Sequence, residues 1–82
     1  MQQASVTIYS TPTCPYCQQA KKYLSEKGVS YTDKDVAADI NARTEMVQKS
    51  QQMGVPVLDI NGNIVVGFNR AKIDELLRTQ AV

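Results

Sequence analysis

At Cys14-Pro15-Tyr16-Cys17 the apolar pattern of this chain changes period. Before it, Val6 and Ile8 alternate with Thr7 and Tyr9, the repeat of a strand. After it, Cys17, Ala20 and Leu24 recur at helical spacing, with Pro15 where a first helical residue tolerates a missing N–H. The chain's two cysteines thus stand at a strand-to-helix junction. A helix start offers unpaired N–H groups and roughly half an elementary positive charge, and both favour a thiolate over a thiol. Sulfur chemistry is the leading explanation for such a pair.

With 82 residues the chain is a single domain over 1–82, with a thin core. A hydrophobic share of 43% excludes disorder, and a net charge of +1 with mixed signs excludes a nucleic-acid or polybasic membrane surface. No segment approaches the roughly 20 apolar residues of a membrane span. The polar start Met1-Gln2-Gln3-Ala4-Ser5 does not resemble a signal peptide, so a cytoplasmic location is expected. In a reducing compartment a close cysteine pair is catalytic or metal-binding before it is a structural staple.

Gly28 stops the first helix, and Val29 to Thr32 reads as a second strand. A second helix is expected from Asp39 to about Lys49, with Ile40 and Val47 on its apolar face and Asp39 in its first turn. Its cap reads as weak, because Ala37 stands where Ser or Asp would serve better. Val57–Ile60 and Ile64–Val66 are strands joined by Asn61-Gly62, a hairpin turn. Asn69 caps a last helix with apolar face Ile73, Leu76 and Leu77. The order is β-α-β-α-β-β-α. A right-handed crossover makes the first two strands parallel, and the tight turn makes the last two antiparallel, giving an α/β fold with a mixed sheet.

With Tyr9-Ser10 before Cys-Pro-Tyr-Cys, Ala20-Lys21 in the helix, Val55-Pro56 before the third strand and Gly67 after the fourth, the chain resembles the glutaredoxin family over nearly its whole length. The resemblance implies the thioredoxin fold: a four-stranded mixed sheet of order 2-1-3-4 flanked by three helices, the first and third on one face. The residues alone read Val55-Pro56 as trans. The resemblance implies a cis Pro56 packed near Cys14, with the Val55 backbone offered to an extended peptide as an added strand would be.

The two sulfurs are inequivalent. Cys14 precedes the helix and can face solvent; Cys17 shares the inward stripe of Ala20 and Leu24. Cys14 is the nucleophile and Cys17 the resolving thiol. A free cysteine is only a few per cent thiolate at neutral pH, and stabilising the anion by roughly 2.7 kcal/mol makes most of it reactive. Pro15 starts the helix and modulates the redox potential. Tyr16 is either an exposed aromatic or, as the resemblance implies, part of the substrate groove. Lys21 reads as a solvated charge that weakly favours the thiolate. No metal site is expected, since a lone Cys-x-x-Cys supplies two ligands where structural zinc needs four and the chain has no histidine. A metal shared between two chains stays open.

The expected reaction reduces protein disulfides or glutathione mixed disulfides, with no tightly bound cofactor. Val55, Pro56, Gly67, Phe68 and Asn69 join Tyr16 as the implied substrate-binding residues. Here the chain departs from glutathione users. Val66 replaces a second glycine before Gly67, no acid stands near Asn69 and Arg70, and Thr11 replaces a lysine. Two donors therefore stay open: glutathione, with the Asn69 N–H capturing its γ-glutamyl carboxylate, or thioredoxin reductase, as in redoxins that serve ribonucleotide reductase. Phe68 is a ligand contact, or a rim or core aromatic with no ligand role. The expected partners are disulfide proteins, met by a monomer. A reading from another class is a non-catalytic peptide-binding or metal-bridged dimeric module.

Overall fold

The computed structural model describes residues 5–79. Strand β1 (Val6–Ser10) leads into α1 (Pro15–Glu26), followed by β2 (Tyr31–Asp35), α2 (Ile40–Ser50), β3 (Val57–Ile60), β4 (Asn63–Val66) and α3 (Arg70–Thr79). The sheet order is β2-β1-β3-β4. Strands β1 and β2 are parallel, with Ile8 opposite Asp33 and Ser10 opposite Asp35. Strand β3 runs antiparallel to β1, pairing Tyr9 with Val57, and β4 antiparallel to β3, pairing Val57 with Val66.

Alternation along the strands divides the core between the two faces of the sheet. On one face Val6, Ile8, Leu58, Ile60 and Val65 pack against Ala20 and Leu24 of α1 and Ile73 of α3. On the other, Tyr9 and Val57 pack against Val36 and against Ala42 and Met46 of α2. Each fully buried Leu or Ile contributes about 1.5–3 kcal/mol of transfer free energy. The thioredoxin fold, its strand order and the sidedness of its helices are as the family resemblance implied. Among the described residues no helix is long and apolar enough to cross a membrane.

Two boundaries differ from expectation, each for a local reason. Helix α1 closes when the Gly28 N–H (φ +72°) donates to Ser25 O at 3.0 Å and the Val29 N–H donates to Leu24 O at 2.9 Å. Val29 therefore finishes the helix and packs on the core, and β2 starts at Tyr31 instead of Val29. At α2 the cap is Asp39, whose Oδ1 accepts from the N–H groups of Asn41 at 2.9 Å and Ala42 at 3.2 Å. The cap is a strong one, and Ala37 lies outside it. The buried face of α2 is Ala42 and Met46, with Val47 at its margin, while Ile40 is 76% exposed. Two residues turn a helix by about 200°, so Ala42 on the core sends Ile40 to the far side.

The remaining turns form as their residues require. Asn61 and Gly62 take φ of 53° and 91°, the Gly62 N–H reaches Asp59 Oδ1 at 2.8 Å, and Asn61 Oδ1 accepts from the Ser5 N–H at 2.9 Å. Asn69 Oδ1 caps α3 through the Lys72 N–H at 3.1 Å.

Candidate active site

One end of the sheet gathers the segments that carry the candidate site residues. Strand β1 finishes there and α1 starts; β3, running the other way, begins there; β4 finishes there and leads to Asn69 and α3.

Cys14 is the N-cap of α1, with φ −89° and ψ 112°, and Pro15 is the first helical residue. Its Sγ accepts the Cys17 N–H at 3.1 Å, so the helix start feeds a hydrogen bond and its dipole to this sulfur. The Cys14 N–H donates to Thr11 O at 3.4 Å and fixes the turn before the helix. The two cysteines form a disulfide across Cα atoms 5.2 Å apart. Cys14 is half-buried, whereas Cys17 is 0% exposed on the stripe of Ala20 and Leu24. An incoming sulfur can reach Cys14 and cannot reach Cys17.

The Val55–Pro56 bond is cis, as the resemblance implied, and Pro56 is fully buried. Pro56 O accepts the Gly67 N–H at 2.8 Å, and Gly67 takes φ +82°, which favours glycine. Val55 is half-buried and, among the described residues, neither its N–H nor its C=O has a hydrogen-bond partner. Tyr16 is 62% exposed beside the sulfurs. Phe68 turns away towards α1, its ring edge-on to Tyr23 at 5.8 Å. Tyr23 also lies under the Arg70 guanidinium at 5.1 Å and donates its hydroxyl to Asp74. That hydrogen bond, helped by the charges of Lys27 and Arg70, holds the Asp74 carboxyl below the usual range.

Lys21 is not a solvated charge. Its Nζ is 2.7 Å from Asp33 Oδ2, and its side chain is 18% exposed. The other Asp33 oxygen accepts from Ser10 Oγ at 2.7 Å. Sequence reasoning missed this cluster, because it forms through the register that sets Asp33 opposite Ile8. The one available signal was Ser10, a polar residue on the strand face that Val6 and Ile8 make apolar. As for metals, among the described residues no group of three or more His, Cys, Asp or Glu is placed to hold an ion.

The family model described as Glutaredoxin matches residues 6–65. A glutaredoxin-like 8.6 kDa protein of the rubredoxin operon of Clostridium pasteurianum is 53% identical over 72 residues, 88% of this chain and 96% of that protein. Glutaredoxin 3 of Escherichia coli K12 is 35% identical over 82 residues, covering 92% of this chain and 99% of the relative. The crystal structure of a glutaredoxin from Archaeoglobus fulgidus superposes with a TM-score of 0.79 at 26% identity, over 92% of this chain and 87% of that one. With an inequivalent cysteine pair at a helix start, a cis-proline at the same end of the sheet and this match over most of its length, the chain belongs to the glutaredoxin family.

Proposed function

We propose that this chain is a dithiol–disulfide oxidoreductase that reduces protein disulfides, with Cys14 as nucleophile and Cys17 as resolving thiol. The carrying observation is the contrast between the sulfurs: Cys14 accepts a helix-start N–H at 3.1 Å, while Cys17 is fully buried. The Cys14 thiolate attacks a target disulfide and forms a mixed disulfide. Cys17 then attacks Cys14, closing the bond between them and releasing the reduced target. Sulfur carries both electrons throughout, and no resident cofactor enters these steps.

Tyr16, Val55, Gly67 and Asn69 form the rim on which a target segment lies, over the buried Pro56 and beside Phe68, whose ring packs on Tyr23, and the unpaired Val55 backbone invites it as an added strand. The donor that best fits the rim is a thioredoxin reductase rather than glutathione. A γ-glutamyl ammonium would meet Asn69 and the Arg70 cation where it needs a carboxylate, and the Val66 side chain, 52% exposed, stands where glutathione users have glycine. The reaction and the absence of a membrane-crossing helix among the described residues fit a cytoplasmic monomer acting on proteins such as ribonucleotide reductase.

The test compares re-reduction of the oxidised protein by excess glutathione with that by NADPH plus thioredoxin reductase. Fast recovery with the reductase alone is expected; fast recovery with glutathione alone reverses the donor assignment. Cys14→Ser should abolish dithiol turnover, and Cys17→Ser should trap targets on Cys14. Trapping through Cys17 in Cys14→Ser would overturn the roles.

A further inference from the structure

We infer that the Gln52 carboxamide is a positioning group for target binding: it fixes the Gly54–Val55 peptide plane and so aims the Val55 N–H at an incoming segment. The inference rests on the proposed reading of Val55 as the strand to which a target adds, and it names the residue that orients that strand.

Gly54 is where the argument from geometry starts, because its backbone does not explain it. Gly28, Gly62 and Gly67 take φ of +72°, +91° and +82°, where side chains are disfavoured, whereas Gly54 has no such φ. Space explains it instead. A Cβ at Gly54 would stand 2.8 Å from Gln52 Oε1, closer than carbon and oxygen can pack. The place of the missing methyl is taken by the Gln52 side chain.

That side chain engages both polar groups of Gly54. The Gly54 N–H donates to Oε1 at 2.7 Å, and Nε2 donates to Gly54 O at 3.0 Å. Each end of the carboxamide meets the partner its chemistry requires. Two such bonds to one residue are the exchange made by a directly opposed residue in an antiparallel ladder. Gln52 thus serves Gly54 as a neighbouring strand would. Nε2 also reaches Ser50 Oγ at 3.4 Å, and the Ser50 hydroxyl donates to Met46 O at 2.7 Å. The chain leaves α2 through Gln51, at φ 59°, whose N–H donates to Val47 O at 2.7 Å. The clamp is therefore tied to the end of α2, which Ala42 and Met46 hold against the sheet.

The clamp controls the next N–H along the chain. The Gly54–Val55 bond is trans, and in a trans peptide the C=O and the N–H of one plane point in opposite directions. Holding Gly54 O against Gln52 turns the Val55 N–H to the far side. There it has no partner among the described residues, just before β3 begins at the end of the sheet where α1 starts. Among those residues no group other than Gln52 hydrogen-bonds Gly54. Without the carboxamide the plane can rotate, and a target must order it on binding.

The test uses two oxidants with one leaving group. The first is 5,5′-dithiobis(2-nitrobenzoate), which has no peptide backbone; the second is a capped pentapeptide carrying thionitrobenzoate on its central cysteine. With either, the Cys14 thiolate bonds to one sulfur, the S–S bond breaks, and coloured thionitrobenzoate leaves with the electron pair, followed by stopped flow. The peptide alone can use the Val55 N–H. In Gln52→Ala the ratio of peptide rate constant to small-oxidant rate constant should fall roughly fivefold, about the worth of one hydrogen bond. The fall should come from a higher half-saturating peptide concentration and not from a lower limiting rate. Gln52→Glu should act alike, since a carboxylate accepts the Gly54 N–H but cannot donate to Gly54 O. Gly54→Ala should also lower the ratio, because its methyl displaces the carboxamide. In Gln52→Ala the same methyl has room, so the double variant should match Gln52→Ala instead of multiplying the two losses. Gln52→Glu, with a side chain of the same length, decides the matter if Gln52→Ala does not fold. An unaltered ratio in Gln52→Glu, whether both rates hold or fall together, overturns the inference, as do losses that multiply in the double variant. Release of thionitrobenzoate from neither oxidant by the unaltered chain would sink the dithiol reading, and this inference with it.

Discussion

Ser10 and Tyr9 are neighbours on β1 and point to opposite faces of the sheet, yet each donates its hydroxyl to a carboxylate that is paired with lysine. On the α1 face the series is Ser10, Asp33 and Lys21. On the α2 face Tyr9 donates to Glu45, which also receives Lys34 at 3.0 Å; Lys49 lies 3.7 Å from Glu45 and 2.7 Å from Asp59. The second cluster joins β1, β2, α2 and β3 through several redundant contacts, and both lysines stand over the Tyr9 ring, at 5.8 and 5.9 Å. The first is a single file that begins at the buried Ser10 hydroxyl and ends at the partly exposed Asp33 and Lys21. The same chemical groups tie a helix to the sheet on both faces, through one file on the α1 face and through several contacts on the α2 face. The difference is redundancy.

The largest effect that would challenge this contrast comes from the apolar part of the α2 face. Met46 is 1% exposed against Tyr9 and Val57. Met46→Ala should cost about 3 kcal/mol in urea unfolding. If the α2 face is scaffold alone, the folded fraction keeps its rate of disulfide reduction. Slowed reduction by the folded fraction would show that the two faces are coupled and would erase the division.

What the sequence disclosed follows a physical rule. Cys14, Pro15, Gly28, Asn61-Gly62 and Asn69 act through their own or neighbouring backbone groups, so their roles at caps and turns can be read locally. Ile73, Leu76 and Leu77 define their face by spacing alone. Val29 was misread because its N–H serves the end of α1 even though its side chain suits a strand. Ile40 looked like core because composition does not say which arc of a short helix meets the sheet, and Asp39 was placed one residue too deep in α2 to be recognised as its cap. The pairing of Lys21 with Asp33 was beyond reach, since it depends on strand register and on the position of α1 over the sheet. The cis state of Pro56 came from family resemblance and not from the residues.

A smaller effect separates the clusters directly. Tyr9→Phe removes the hydroxyl from Glu45 but leaves its lysine contacts, and Ser10→Ala removes the hydroxyl from Asp33 but leaves Lys21. Each should cost about 1 kcal/mol, the net worth of one hydrogen bond. A loss in Tyr9→Phe well below that in Ser10→Ala would show that the lysine contacts of Glu45 compensate for the missing hydroxyl, and equal losses would show that the redundancy adds nothing.

The smallest effect is a pH dependence confined to the α2 face. The hydrogen bond from Tyr9, with that from Lys34, holds the Glu45 carboxyl below the usual glutamate range. Between the folded and unfolded values the unfolded chain binds more protons, so stability rises with pH across that interval. The contribution of Glu45 is fully present above the ordinary glutamate range and is lost as pH falls through the depressed folded value. Glu45→Gln cannot titrate, so its stability deficit against the unaltered chain should shrink as urea midpoints are followed from neutral pH into the acid range. The side chain is 37% exposed, which screens the charges and keeps the change modest. A deficit that stays constant with pH would assign the role of Glu45 to shape and packing, and the α2 cluster would then differ from the α1 cluster in geometry alone.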